Sequence, residues 1–183
     1  MDQIVYLFGL HHCDQRPRDG EPGDALRERL RAEITLHRID FIGEEDDPAS
    51  RSGRSIADEL AENLGLNYIN VDPDQAERKR RGIPSCIDMD ALGHALAAAP
   101  ATDEAQKAAI DEQRRKIAVL REPVWMERLL ALGKPWASML FVCGAGHVES
   151  FMAKLQTAEF RAEIVESDWS KGHPCELGGC GEC

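Results

Sequence analysis

The chain has 183 residues, 43% of them apolar, which is enough for one sizeable core and too few for a large multidomain machine. Its 22 Lys plus Arg against 33 Asp plus Glu leave a net charge of -11, which opposes sequence-independent binding to nucleic acid or to an anionic membrane surface. No run approaches the roughly 20 apolar residues of a bilayer span, and the first residues are acidic where an export leader is basic, so a soluble cytoplasmic protein with reduced thiols is expected.

Residues 4–8 read as a buried strand ending at Gly9, with a polar loop over 13–23. Asp24 opens a helix in which Leu26, Leu30 and Ile34 recur every fourth residue. A second strand at 39–42 is ended by Gly43 and the acidic cluster 44–47. Ser55 and Asp58 form a capping-box pattern for a helix carrying Ile56, Leu60 and Leu64 up to Gly65. A third strand at 68–71 stops at Asp72-Pro73, and 74–86 read as a mobile loop whose Arg78-Lys79-Arg80-Arg81 run is the one local excess of cations. From Asp88 the chain is Ala-rich and helical to a break near Pro100, and a polar helix follows over 103–120. Pro123 disfavours helical geometry at Glu122, so a turn is expected at Arg121-Glu122-Pro123 and a new helix over 124–132. Residues 139–142 are the strongest strand signal, followed by Gly144-Ala145-Gly146-His147 and a helix with Val148, Phe151, Met152 and Leu155 on one face. Residues 161–166 close the series as a strand.

Strands alternating with helices predict an α/β domain over residues 1–169, a mainly parallel sheet of about five strands with helices on both faces, and a Cys-rich tail over 170–183. Ligands of such sheets sit outside the carboxyl ends of the strands. Those ends carry His11 and His12, then Glu44 and Glu45, then Asp72, then His147. Asp72, before a proline, reads as a turn residue, and Cys143, at the end of an apolar strand, as a small buried hydrophobe. Consecutive strand-end residues face opposite ways, so one of Glu44 and Glu45 is expected in the site and the other behind it.

The first and fourth strands end in the same form, Gly9-Leu10-His11-His12 and Gly144-Ala145-Gly146-His147. With the Glu44-Glu45 pair, and with Arg121 ahead of Trp125, this order resembles the TraB/PrgY/GumN and TIKI family, itself related to erythromycin esterases and ChaN-like proteins. The resemblance covers roughly residues 4–166. It implies a hydrolase of peptide, ester or lactone bonds, with His12, Glu44 and His147 as the expected ligands of a divalent Mn, Co or Zn ion. Independently of the family, two imidazoles and a carboxylate form a mixed N/O set for such an ion. A second glutamate would serve as base, and Arg121 would hold an anionic substrate group or the developing oxyanion.

The tail carries His173, Cys175, Cys180 and Cys183 among glycines, four donors that can wrap one zinc. The leading expectation is therefore a metal-assisted hydrolase of a small-molecule or peptide substrate, with no nucleic-acid or membrane partner and with homo-oligomerisation left open. The alternatives are a non-catalytic, ChaN-like metal or ligand binder and a regulatory protein docking through Arg78 to Arg81. Haem would call for an exposed axial Tyr or His, whereas Tyr6 and Tyr68 fall inside strands.

Overall fold

The computed structural model describes residues 3–16, 23–46, 53–84, 103–133 and 136–171. Five strands are placed by the apolar runs: β1 (Ile4–Leu10), β2 (Phe41–Glu44), β3 (Asn67–Asn70), β4 (Ser138–Gly144) and β5 (Arg161–Glu166). They form one sheet in the order β3-β2-β4-β1-β5 with every pair parallel. Such a sheet needs helical crossovers on its faces, and its side chains alternate between two cores.

On one face Leu26, Leu30 and Ile34 of α2 (Asp24–Leu36) and Ile56 and Leu60 of α3 (Ile56–Leu64) pack on Phe8, Leu10, Ile42, Leu140 and Val142. On the other, Trp125 and Leu129 of α5 (Asp103–Ala131) and Phe151 and Leu155 of α6 (Val148–Thr157) pack on Val5, Leu7, Phe41, Met139 and Phe141. A short helix α1 (His12–Gln15) follows β1, and α4 (Gln75–Arg81) follows β3. Ser55 caps α3 by accepting the Asp58 N–H at 3.1 Å, and Gly65 ends it with φ 65°, as the sequence predicts.

Two elements depart from expectation. The 74–86 stretch contains the helix α4, capped by the Asp74 carboxylate on the Glu77 N–H. Its Arg78 is buried against Asp72 and its Arg81 pairs with Glu77 and Glu127, while Lys79 and Arg80 are exposed. The turn expected at Arg121-Glu122-Pro123 is instead continuous helix, with Pro123 inside α5. Ile117, Arg121, Trp125 and Leu129 are all buried at four-residue spacing straight through the proline. Burial of that stripe overrides the local preference of Pro123, whose own side chain is exposed.

Among the described residues no helix is long and apolar enough to cross a membrane. The Ala-rich stretch expected from Asp88 and the tail ligands His173, Cys175, Cys180 and Cys183 lie outside the described residues. Ser170 and Lys171, assigned to the tail, belong to the body: a 3-10 turn, Trp169–Lys171, follows β5, and the Ser170 hydroxyl accepts the His11 N–H at 2.8 Å and donates to Asp14.

Candidate active site

Because all five strands run the same way, their carboxyl ends lie along one edge of the sheet. The chain leaves β1 toward β2 but leaves β4 in the opposite direction, past β1 to β5. Helices therefore diverge above the adjacent ends of β1 and β4, which opens a crevice there. His12, just past β1, and His147, in the 3-10 turn Ala145–His147 past β4, meet in this crevice. It is a cleft of about 710 Å³, with His12, Gly144 and His147 on its walls beside Ile117 and Val119 of α5.

Glu45 joins the two histidines from below. Gly43 faces the α5/α6 side, where any Cβ would come within 2.8 Å of Phe141, so Glu44 turns to the α2/α3 side and Glu45 returns to the α5/α6 side. Glu45 is 0% exposed. Its Oε2 accepts the Gly144 N–H at 2.9 Å, and its Oε1 lies 2.5 Å from Arg121 Nη2, 3.5 Å from His12 Nε2 and 3.7 Å from His147 Nε2. Gly144 is required for this convergence, since a Cβ there would stand 3.0 Å from His12 Nε2 and 3.4 Å from Glu45 Oε2. Burial alone would raise the Glu45 pKa, but the Arg121 charge, the positive charge of the two imidazoles when they are protonated and the Gly144 N–H outweigh it and hold the group at about 2.

The hydrogen bonds also assign the imidazole tautomers. Gln15 Nε2 donates to Glu44 Oε1 at 3.2 Å and to the Glu45 carbonyl at 2.7 Å, so its Oε1 faces His12 Nδ1, 2.7 Å away, as an acceptor. His147 Nδ1 stands 2.9 Å from Glu122 Oε1, and that carboxylate is itself fixed by Ser150 Oγ at 2.6 Å and Lys154 Nζ at 2.6 Å. Burial opposes the charge on Glu122, yet these three donors keep its pKa below the usual value. In both neutral rings the proton therefore sits on Nδ1, and Nε2 turns its lone pair toward Glu45 Oε1.

Three acceptor atoms thus converge, each ring steadied from behind as metal-ligating histidines are. Ligand atoms on a tetrahedral cation stand about 3.4 Å apart, close to the 3.5 and 3.7 Å separations here. No group of three or more His, Cys, Asp or Glu among the described residues has the spacing of a metal centre as it stands. The donor chemistry fits Mn, Co or Zn; coordination would draw the rings inward by a few tenths of an ångström.

Of the remaining candidates, Glu44 and Arg121 are placed otherwise than expected. Glu44, also 0% exposed, lies behind the site and accepts from Ser55 Oγ and Tyr68 Oη at 2.5 and 2.8 Å. Burial, with the nearby Asp46 charge, pushes its pKa up to about 8. Arg121 is neither a helix cap nor a residue of the cleft wall: it is 2% exposed and spans Glu45 and Asp72, so it acts on Glu45 rather than on substrate. His11 lies on the wall, with Nε2 3.8 Å from Asp168. Cys143 is buried beside the site, and burial raises its pKa well above the usual value, as suits a packed thiol.

Two residues went unrecognised in the sequence, Gln15 and Glu122, and the sequence marks Asp72 only as a turn residue. The four-residue spacing from Ile117 to Leu129 marks position 121 as buried and 122 as its neighbour, and Asp72 stands at a strand end like the others. Gln15 carries no such signal. The chain matches no family model, no curated protein and no solved structure.

Proposed function

We propose that the protein is a hydrolase that activates water between His12, His147 and Glu45, with a divalent cation held by His12 Nε2, His147 Nε2 and Glu45 Oε1. The observation that carries this reading is the pair of locked tautomers, which aims two imidazole lone pairs at one buried carboxylate on the floor of an open cleft. The order of the Gly-x-x-His, glutamate and arginine motifs, which resembles the TraB/TIKI group, supports it. When bound, the cation would lower the pKa of its water and polarise the scissile carbonyl.

The chain's own groups divide the remaining work. Arg121 and the Gly144 N–H keep Glu45 ionised, so it serves as an anionic anchor and is too weak a base to take the proton. Glu44 lies on the far side of β2 and cannot reach the water. With both Nε2 lone pairs committed to the cation, neither imidazole could take the water proton, which would leave to solvent through the open cleft; Glu122 behind His147 would hold that ring's Nδ1–H and its bearing. Val148, Glu149 and Ser150 at the start of α6 line the cleft, and the positive end of that helix would favour a developing oxyanion there. The apolar strip of Ile117 and Val119 would take an apolar part of the ester, lactone or peptide.

The test compares the full chain with His12→Ala and His147→Ala. Each variant should lose about one equivalent of bound Mn, Co or Zn by elemental analysis, and should lower metal-dependent hydrolysis by roughly 10²-fold in a screen of esters, lactones and peptides. Equal metal content in all three proteins, with no metal-dependent turnover, would overturn the reading.

A further inference from the structure

We infer that Asp72 is the positioning residue of this site, fixing the direction from which Arg121 meets Glu45 and Trp125 meets His147. Its kinetic consequence rests on the hydrolase reading; its geometric content does not.

Asp72 follows β3, its side chain is 0% exposed, and it reaches none of the imidazoles. Its Oδ1 accepts from Arg121 Nε at 3.1 Å, Arg121 Nη2 at 2.8 Å and Trp125 Nε1 at 3.2 Å, and its Oδ2 pairs with Arg78. The backbone there is also held, since Arg78 Nε donates to the Pro73 carbonyl at 3.0 Å and Arg128 Nη1 to that of Asp72 at 2.7 Å. One carboxylate therefore anchors α4 and α5 to the sheet edge and presents two α5 side chains to the site.

The geometry of a guanidinium explains why this matters. Its fork prefers two parallel bonds to one carboxylate. Asp72 takes Nε and Nη2 together on its Oδ1, so Arg121 approaches Glu45 from the Nη2 edge, with Nη2 2.5 Å from Oε1. Oε2 stays on the Gly144 N–H, and Oε1 keeps an edge toward both Nε2 atoms. Relieved of Asp72, the fork would turn onto both oxygens of Glu45 and draw that carboxylate off its bearing. Trp125 is set by the same oxygen, and its ring meets that of His147 edge-on at 4.8 Å and 65°.

The experiment uses the full chain with Asp72→Asn, Asp72→Glu, Arg121→Ala and the Asp72→Asn/Arg121→Ala double variant. Its first reading is independent of activity: the arginine Nε–H resonance that disappears in Arg121→Ala should shift or exchange faster in Asp72→Asn. The second is kinetic: Asp72→Asn should lower kcat about tenfold or more with KM changed less than about threefold, and should cost nothing further in the Arg121→Ala background. If Asp72→Asn does not fold, Asp72→Glu keeps the charge and should show the same resonance shift with a smaller fall in kcat. An unmoved Arg121 Nε–H in the folded variant, or an equal fall in kcat with and without Arg121, would overturn the assignment. If no hydrolysis is found, the resonance alone decides it.

Discussion

Glu44 and Glu45 are chemically identical, adjacent and equally buried, yet they are held in opposite states. Glu45 meets a guanidinium and a backbone N–H and stays ionised, with a pKa of about 2; at Glu44 burial and the nearby Asp46 charge outweigh the Ser55 and Tyr68 hydroxyl bonds, and its pKa rises to about 8. The two make opposite contributions to stability. Because the Glu44 pKa is raised in the folded chain above its ordinary 4.5, the folded state binds more protons between those values, and its contribution is lost as pH climbs from about 4.5 to about 8. Glu45, depressed from 4.5 to about 2, contributes above 4.5 and loses that contribution as pH falls toward 2. Glu44→Gln, which mimics the protonated acid, should therefore flatten the decline on the alkaline side. Urea denaturation at pH 5, 6.5 and 8 should show the variant gaining on the parent as pH rises, by on the order of a few kcal/mol at most. A gap that does not widen with pH would mean that Glu44 is ionised throughout.

Among the elements, α5 does most to build the site and is one whose course the local signals misjudge. A helix of 29 residues with Pro123 inside it lacks the N–H that would bond to the Val119 carbonyl. It persists because Arg121, Val124, Trp125 and Leu129 are anchored to the sheet on either side of that position. Glu122 reaches across to His147, Ser150 and Lys154, so two helices share one ionised contact. Since the Pro123 side chain is exposed, Pro123→Ala should restore a helix bond without loss of packing and stabilise the fold by about 1–2 kcal/mol, the helix-interior cost of proline less its restriction of the unfolded chain. Chemical denaturation would measure this as a higher midpoint; a lower one would show that the proline ring itself supports the fold.

At the scale of the whole molecule, the body extends to Lys171. Ser170 is 3% exposed and ties the end of the chain to His11 and Asp14 at the mouth of the cleft. Residues 172–183 contain one leucine and no other large apolar side chain, so their removal should leave the melting temperature within about 2 °C, since an end that buries little contributes little. Removal from 169 onward should instead lower it clearly, through loss of the Ser170 bonds and of the Trp169 contact with Phe8. Elemental analysis of the protein ending at Lys171 would assign any metal it retains to the body rather than to the tail cysteines. A large loss of stability on removing 172–183 alone would mean that the tail is stapled into the fold.

The sequence by itself determined the five strands, the parallel α/β class and the edge on which His12, the glutamate pair and His147 lie. Those features follow from short-range causes: apolar periodicity, the Ser55 cap, the Gly65 stop, and the rule that parallel strands end on one side. Only the tertiary structure decided that Glu45 and not Glu44 joins the histidines, that Arg121 lies beneath the site, and that Asp72, Gln15 and Glu122 orient its members. Glu45 finds the Gly144 N–H across 99 positions, Asp72 finds Arg121 across 49, and Glu122 finds His147 across 25. Periodicity states which face of its own element a side chain occupies. The partner it meets there depends on how distant elements pack, and for buried charges that choice sets protonation and direction.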